Sequence, residues 1–456
     1  PDAMKALIRQ LRALAEGAAL RELAARLLDD ERTPPAFLAE AAWQLGSLND
    51  TGLALRCAEA AVRKAPQDPA ARVARGQLIA HHGRAAQAER DFDWALQRAP
   101  RIAIAWWMRS QLRRQAPGAN HVAGLRALLA TPALPAADVA TLARALHKEL
   151  DDLGDHAGAW QALETMCAAR RGGLSWNVQQ GRDLVDALVA WDSSAPRAGA
   201  PPGGGATPVF IVGMHRSGTT LLEQLLDASP QVRGVGELDD VRAAMCHATD
   251  HACAEETDAV IVRRAEGVDF AEVGRRYLAG MAWRLGGEPF FTDKKPSNFL
   301  NIGFILRALP QAKILHLVRD PVETCFSNLR ELFFGVNAWS WDQRELADWF
   351  LQYRRLMAHW HAAFPGRILD VPYAGLVRDT EATMRGVAAW CGIDYIPAMN
   401  DPRSSRRAVN TASTAQVRAG VVARDVPKWA PYARQLQPLR QALREGGAAF
   451  VDVATD

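Results

Sequence analysis

Residues 213–220 read GMHRSGTT, with the apolar run PVFIV before them and the helix-like LLEQLLDAS after. Gly213 and Gly218 permit a sharp turn and close backbone approach, so main-chain N–H groups and a helix N-terminus converge on one anion. Arg216, Ser217, Thr219 and Thr220 add side-chain donors; His215 sits in the same loop without a role that its chemistry dictates. Where a standard phosphate loop has Gly-Lys-Ser/Thr, this one has GTT. No acidic partner for magnesium stands out, which disfavours metal-dependent ATP hydrolysis. The expected ligand is an anion gripped without a metal.

A second grip lies in AKILHLVRDPVETCFSNL, where a strand ends at Val318 and Arg319 follows, with Ser327 on the next helix. A guanidinium at a strand's carboxyl end presents a fork of donors to a phosphate, and a hydroxyl on the following helix can reach the same group. Two separate grips imply a ligand phosphorylated at two places.

The elements that must hold these groups are legible around them. PVFIVG, EPFFTDK, AKILHLV and GRILDVPY are short β-rich runs separated by helical stretches such as EVGRRYLAGMAWRLG and DWFLQYRRLMAHWHAAF. That alternation predicts an α/β domain with a parallel sheet flanked by helices, its ligands at the carboxyl ends of the strands. Upstream the pattern is all-helical. Pro66 and Pro100 are 34 residues apart, and Gly76, Gly83, Ala88, Phe92 and Ala95 fall between them where a tetratricopeptide repeat places small and aromatic packing residues. Ala54, Ala58 and Ala61 keep that register in the preceding unit, Trp106 opens a following one, and Ala159 and Ala162 mark a degenerate one. The expected organisation is an all-α tetratricopeptide solenoid over residues 1–191, a Pro/Gly-rich linker over 192–207 and an α/β domain over 208–456.

At 456 residues, with 49% hydrophobic and 23% charged residues, the chain has ample material for two cores. A net charge of +3 gives no support to a nucleic-acid partner. Six cysteines without a framework spacing, and no apolar stretch near the ~20 residues of a membrane span, fit a cytoplasmic protein without a membrane span.

Taken together, RSGTT and VRDPVETCFS resemble the 5′-phosphosulfate loop and the 3′-phosphate motif of sulfotransferases. The chain is similar to bacterial tetratricopeptide-containing sulfotransferases and, more distantly, to protein-tyrosine sulfotransferases. The resemblance implies a P-loop-like fold and 3′-phosphoadenosine 5′-phosphosulfate as sulfuryl donor, with no metal. Carried over by position, His215 to Thr220 form the 5′ loop, with Arg216 assisting transfer, and Arg319 and Ser327 hold the 3′-phosphate. Glu237 in GVGELDD falls at the general base, and Lys294 in TDKKPSN near the transferring group. Ser413 and Lys428 match contacts to the nucleotide and its sulfonate, and Tyr373 an adenine-side tyrosine.

Plainer readings compete with these. Glu237 could be a helix-start carboxylate, Lys294 and Lys428 surface lysines, and Tyr373 a packing aromatic. Cys246, His247, His251 and Cys253 imitate a zinc set but do not share one helix face. The favoured acceptor is tyrosine of a peptide or protein held by the repeats. A carbohydrate, lipid or small-molecule hydroxyl is the alternative, as is an inactive scaffold that binds nucleotide. A homodimer is a further partner expectation. Asp239 and Asp240 stand where tyrosine-sulfating relatives carry basic residues, which weakens the case for an acidic peptide.

Overall fold

Along β1 (Thr207–Gly213) the side chains alternate between two cores: Val209 and Ile211 face one, Phe210 and Val212 the other. A strand buried on both faces needs the near-continuous apolar run seen in its sequence. The computed structural model of the chain describes residues 2–174, 176–191, 205–253, 256–333, 337–405, 420 and 425–451. Around β1 stand β2 (Val232–Gly234), β3 (Phe290–Asp293), β4 (Lys313–Val318) and β5 (Ile368–Pro372), in the order β2-β3-β1-β4-β5 with every pairing parallel. The four β-rich runs of the sequence are thus strands. The three-residue β2 carried too little pattern to be read.

β1 is the middle strand, and the chain fans out to β3 and β2 on one side and to β4 and β5 on the other. The carboxyl ends of β1 and β4, adjacent in the sheet, deliver the GMHRSGTT loop and Arg319 to one place. The register confirms it, since Gly213 lies opposite Leu317. On one face, the helix Thr219–Asp227 buries Leu221, Leu222, Leu225 and Leu226 against Val209, Ile211, Leu315 and Leu317. On the other face, the helix Gln343–Ala363 belongs to a larger core with Phe210, Val212 and Ile314.

The N-terminal region is built of eleven helices among the described residues. Two successive pairs, Pro35–Ser47 with Thr51–Lys64 and Pro69–His81 with Ala85–Arg98, repeat each other. Each begins on a proline and turns at a left-handed residue, Asn49 (φ +64°) in the first and Gly83 (φ +78°) in the second. Ala54, Ala58, Ala61, Ala88, Phe92 and Ala95 are fully buried, as small and aromatic crossing residues must be. A Cβ on Gly76 would lie 2.9 Å from the Phe92 ring, so the helices cross that closely only without one. The later helices of this region share the larger core with the sheet: Leu142, Leu163, Met166, Val185 and Leu188 lie in one cluster with Phe210 and Phe304. Trp191 meets Phe304 edge-on at 4.8 Å. Residues 192–204, which hold most of the expected linker, lie outside the described residues. Among the described residues no helix is long and apolar enough to cross a membrane.

Candidate active site

The anion loop is a tight hand-off from β1 to a helix. Gly213 (φ +151°) lets the chain turn where a Cβ would come within 2.8 Å of the Leu317 carbonyl oxygen. Gly218 (φ +112°) does the same against the Tyr373 ring, at 2.5 Å. Arg216 holds a left-handed conformation (φ +66°), a strained state that persists where its surroundings enforce it. Its Nε donates to Ser327 Oγ at 3.4 Å and stands 3.8 Å from the Glu331 carboxylate. Burial pushes the Arg216 guanidinium below its ordinary value, but an arginine has enough margin to stay charged.

The two expected grips meet directly. Arg319 Nη1 donates to the Arg216 carbonyl at 3.0 Å, its other end pairs with Glu323, and its guanidinium lies 4.5 Å over the Tyr373 ring. Tyr373 is therefore wedged between Gly218 and Arg319. The backbone N–H of Lys428 donates to Glu323 at 3.3 Å, placing that lysine's chain position beside the Arg319 pair. Ser413 lies outside the described residues. Ser217, whose buried hydroxyl has no hydrogen-bond partner among the described residues, and Arg319 Nε, in the same condition, are polar atoms that an anionic donor can satisfy.

Glu237 follows β2 in a loop that opens at Gly236 (φ +81°). The helix of the anion loop positions it: Gly236 N–H donates to the buried Glu223 carboxylate at 2.8 Å, and Thr292 Oγ1 reaches the same oxygen at 3.1 Å. At the end of β3, Lys294 is fully buried, its N–H bonding the Gly236 carbonyl at 2.9 Å and its Nζ donating to Glu237 Oε1 at 2.5 Å. The Glu237 side chain is enclosed by protein yet keeps 45% of its surface open to a cavity. Burial opposes its ionisation, but the Lys294 charge outweighs that and holds the carboxyl below its usual range. His215, packed on Phe333 and Trp339, is pushed down to about 4 by burial and so stays neutral.

That cavity has a volume of about 1180 Å³ and lies between the helical region and the sheet. His215, Arg216, Gly218, Thr219, Thr220 and Glu237 line it on the sheet side. Trp43 and Trp107 come from the repeats and Trp176 from the end of the helical region. Lys294 reaches it through Glu237, while Arg319, Ser327 and Tyr373 contact the loop itself. His251 of the apparent zinc set bonds Asp258 at 2.7 Å instead.

Sequence reasoning missed several participants. Asn328, one residue after Ser327, donates to the His215 carbonyl at 2.7 Å and was detectable only by asking what the same helix face touches. Asp239 is enclosed by cations: Lys295, Arg12 at 3.1 Å and Arg242 at 3.3 Å hold its carboxyl well below the usual range. The charge beside the base that looked hostile to acidic ligands is therefore already neutralised.

A doubly wound parallel sheet with a glycine-rich turn at the end of its central strand and a carboxylate–ammonium pair beside it defines a P-loop-like α/β domain. Residues 208–397 match the sulfotransferase family model. The chain is 29% identical over 332 residues to an uncharacterized protein of Aquifex aeolicus (strain VF5), covering 71% of this chain but only 44% of that protein. It is 24% identical over 194 residues to a candidate protein-tyrosine sulfotransferase of Caenorhabditis briggsae, covering 42% of this chain and 67% of the other. Among solved structures, the sulfotransferase domain of the Synechococcus PCC 7002 olefin synthase aligns at 17% identity and a TM-score of 0.34, over 56% of this chain and all of that one. A Mycobacterium avium sulfotransferase aligns at 15% identity and a TM-score of 0.30, over 71% of this chain and 97% of the other.

Proposed function

We propose that this chain transfers the sulfuryl group of 3′-phosphoadenosine 5′-phosphosulfate to a hydroxyl of a polypeptide, with tyrosine the favoured side chain. The observation that carries the reading is Glu237, which stands on the cavity wall shared with the anion loop and is paired from behind with the buried Lys294. The loop backbone, Ser217 and Arg216 hold the 5′ end of the donor, and Arg319 with Ser327 holds the 3′-phosphate. Glu237, ionised at neutral pH, accepts the acceptor's proton as the new S–O bond forms. Arg216 on the cavity wall stabilises the oxygen that keeps the electron pair of the breaking S–O bond, with the charge of buried Lys294 acting from behind Glu237, so adenosine 3′,5′-bisphosphate departs. Ser413 and Lys428 retain their proposed places on the nucleotide and sulfonate.

The polypeptide acceptor rests on the cavity. Its volume exceeds the range of about 300–1,000 Å³ usual for small-ligand pockets, and Trp43, Trp107 and Trp176 line it together with the anion loop and Glu237. The similarity to the C. briggsae protein points the same way. The test is incubation with donor labelled in its sulfuryl group, together with tyrosine-containing polypeptides and, separately, simple sugars and alcohols. Label is expected on polypeptide tyrosine and lost in Glu237→Gln. Label confined to small hydroxyl compounds would overturn the acceptor, and no transfer to any hydroxyl, with bisphosphate still bound, would overturn catalysis.

A further inference from the structure

His316 stands on β4 directly opposite Asp370 on β5, at a register position shared with Val212 of β1. His361 comes from the last turn of the helix Gln343–Ala363 that covers this face. His316 Nδ1 lies 2.7 Å and His361 Nε2 2.9 Å from the same oxygen, Asp370 Oδ1. One donor atom from each of the three residues fits within a span of 4.8 Å. None of the three takes part in the transfer site.

Two imidazole nitrogens converging on one carboxylate oxygen supply the ligand types that zinc-type ions take, with bonds of about 2.0–2.2 Å. Without an ion, the same nitrogens carry their protons and donate to the carboxylate; with one, the three atoms open slightly around it. The surroundings favour an ion over a simple ion pair. His316 is 5% exposed, and its far nitrogen, Nε2, is held by the hydroxyl of buried Tyr353. Metal-bound histidines are oriented in this way through their second nitrogen, and a hydroxyl both donates and accepts, so it suits either tautomer. The Asp370 side chain is 52% exposed and His361 37%, leaving a route for an ion and room for water as fourth ligand. Tyr353 is also hydrogen-bonded by the backbone of Met214, so the cluster stands one side chain behind the anion loop.

We propose that His316, His361 and Asp370 form a site for one divalent transition metal of the zinc type. The ion ties β4, β5 and the helix Gln343–Ala363 together, braces the anion loop through Tyr353, and takes no part in sulfuryl transfer. The proposal does not depend on the transfer reading.

The test uses the full chain, stripped with chelator and titrated with zinc against a chromophoric competitor, then with cobalt(II) for its spectrum. One equivalent is expected, with cobalt d–d bands and no thiolate charge-transfer band. His361→Ala, at a half-exposed helix end, and Asp370→Asn should each weaken binding by at least about 100-fold, since loss of an outer-shell partner alone costs ~10–100-fold. His359→Ala, on the same helix outside the cluster, should leave it unchanged. Zinc should raise the melting temperature of the parent protein and not of His361→Ala. Less than one equivalent bound at 50 µM zinc, equal affinity in His361→Ala, or a thiolate band would each overturn the site.

Discussion

The side-chain amide of Asn49 donates to the backbone carbonyl of Glu237 at 3.2 Å, joining a turn of the N-terminal repeats to the proposed general base. The same amide closes over Gly236, where a Cβ would lie 2.6 Å from Asn49 Nδ2. Arg12, also from the repeats, reaches Asp239 two residues further on. The helical region thus fixes the loop that carries Glu237 as well as walling the cavity. Removing one such bond costs about 0.5–1.5 kcal/mol. Asn49→Ala should lower kcat roughly 2–10-fold while leaving the affinity for adenosine 3′,5′-bisphosphate unchanged. An unchanged kcat with a raised KM would instead make Asn49 an acceptor contact.

The charge of Lys294 sets the ionisation of Glu237, and pH should reveal it. With the lysine present, the folded carboxyl titrates below its ordinary value, so the acid limb of kcat/KM lies below about pH 4.5 as far as this group decides it. In Lys294→Met, burial is opposed only by weaker contributions such as that of Lys295, and the limb moves upward, with activity lost as pH falls through a higher value. Glu237→Gln should lower kcat about 10²–10⁴-fold and remove the limb. A pH profile in Lys294→Met that keeps the parent's acid limb would falsify the pairing as the cause.

Arg319 binds the anion loop and, in the proposed complex, the 3′-phosphate. Charge-assisted bonds of this kind are worth about 1.5–3 kcal/mol. Calorimetry with Arg319→Ala should show adenosine 3′,5′-bisphosphate bound about 10–100-fold more weakly and AMP much less affected. Equal losses for both nucleotides would mean that the substitution merely loosens the Arg216 carbonyl it holds.

Acid should destabilise the protein through its buried neutral histidines. Burial pushes His147 down to about 3 and His215 to about 4, from an ordinary value of 6.5. Both folded values are depressed, so this stability is present above pH 6.5 and is lost as pH falls towards 4, where the unfolded chain takes up protons that the folded one refuses. For a fully buried histidine the linkage amounts to about 2 kcal/mol between pH 7 and 5, and less for His215, which opens partly on the cavity. Urea midpoints should fall over that interval, and less steeply in His147→Gln. A His147→Gln midpoint with the parent's slope would show that other groups carry the acid sensitivity.

Contiguous features were legible. β1, the anion loop and the following helix are a single stretch whose glycines, hydroxyls and apolar alternation encode strand, turn and N-terminus by local sterics. The 34-residue helix pairs were readable for the same reason, because alanines and Phe92 must face the crossing. β2 was not, since three residues display no period. Asn328 and Glu331 were hidden among ordinary helix and loop residues.

The residues alone therefore determined a parallel-sheet domain with a glycine-rich turn after its central strand and a helical region with repeated helix pairs, because backbone freedom and burial periodicity act over a few neighbours. Only the tertiary structure decided that Lys294 faces Glu237, that Arg319 grips the Arg216 carbonyl, that His316, Asp370 and His361 converge, and that Asn49 closes on the loop of the base. Those groups are 57, 103, 54 and 188 residues apart at their widest. Their meeting depends on strand order and helix packing, which no local pattern of side chains specifies.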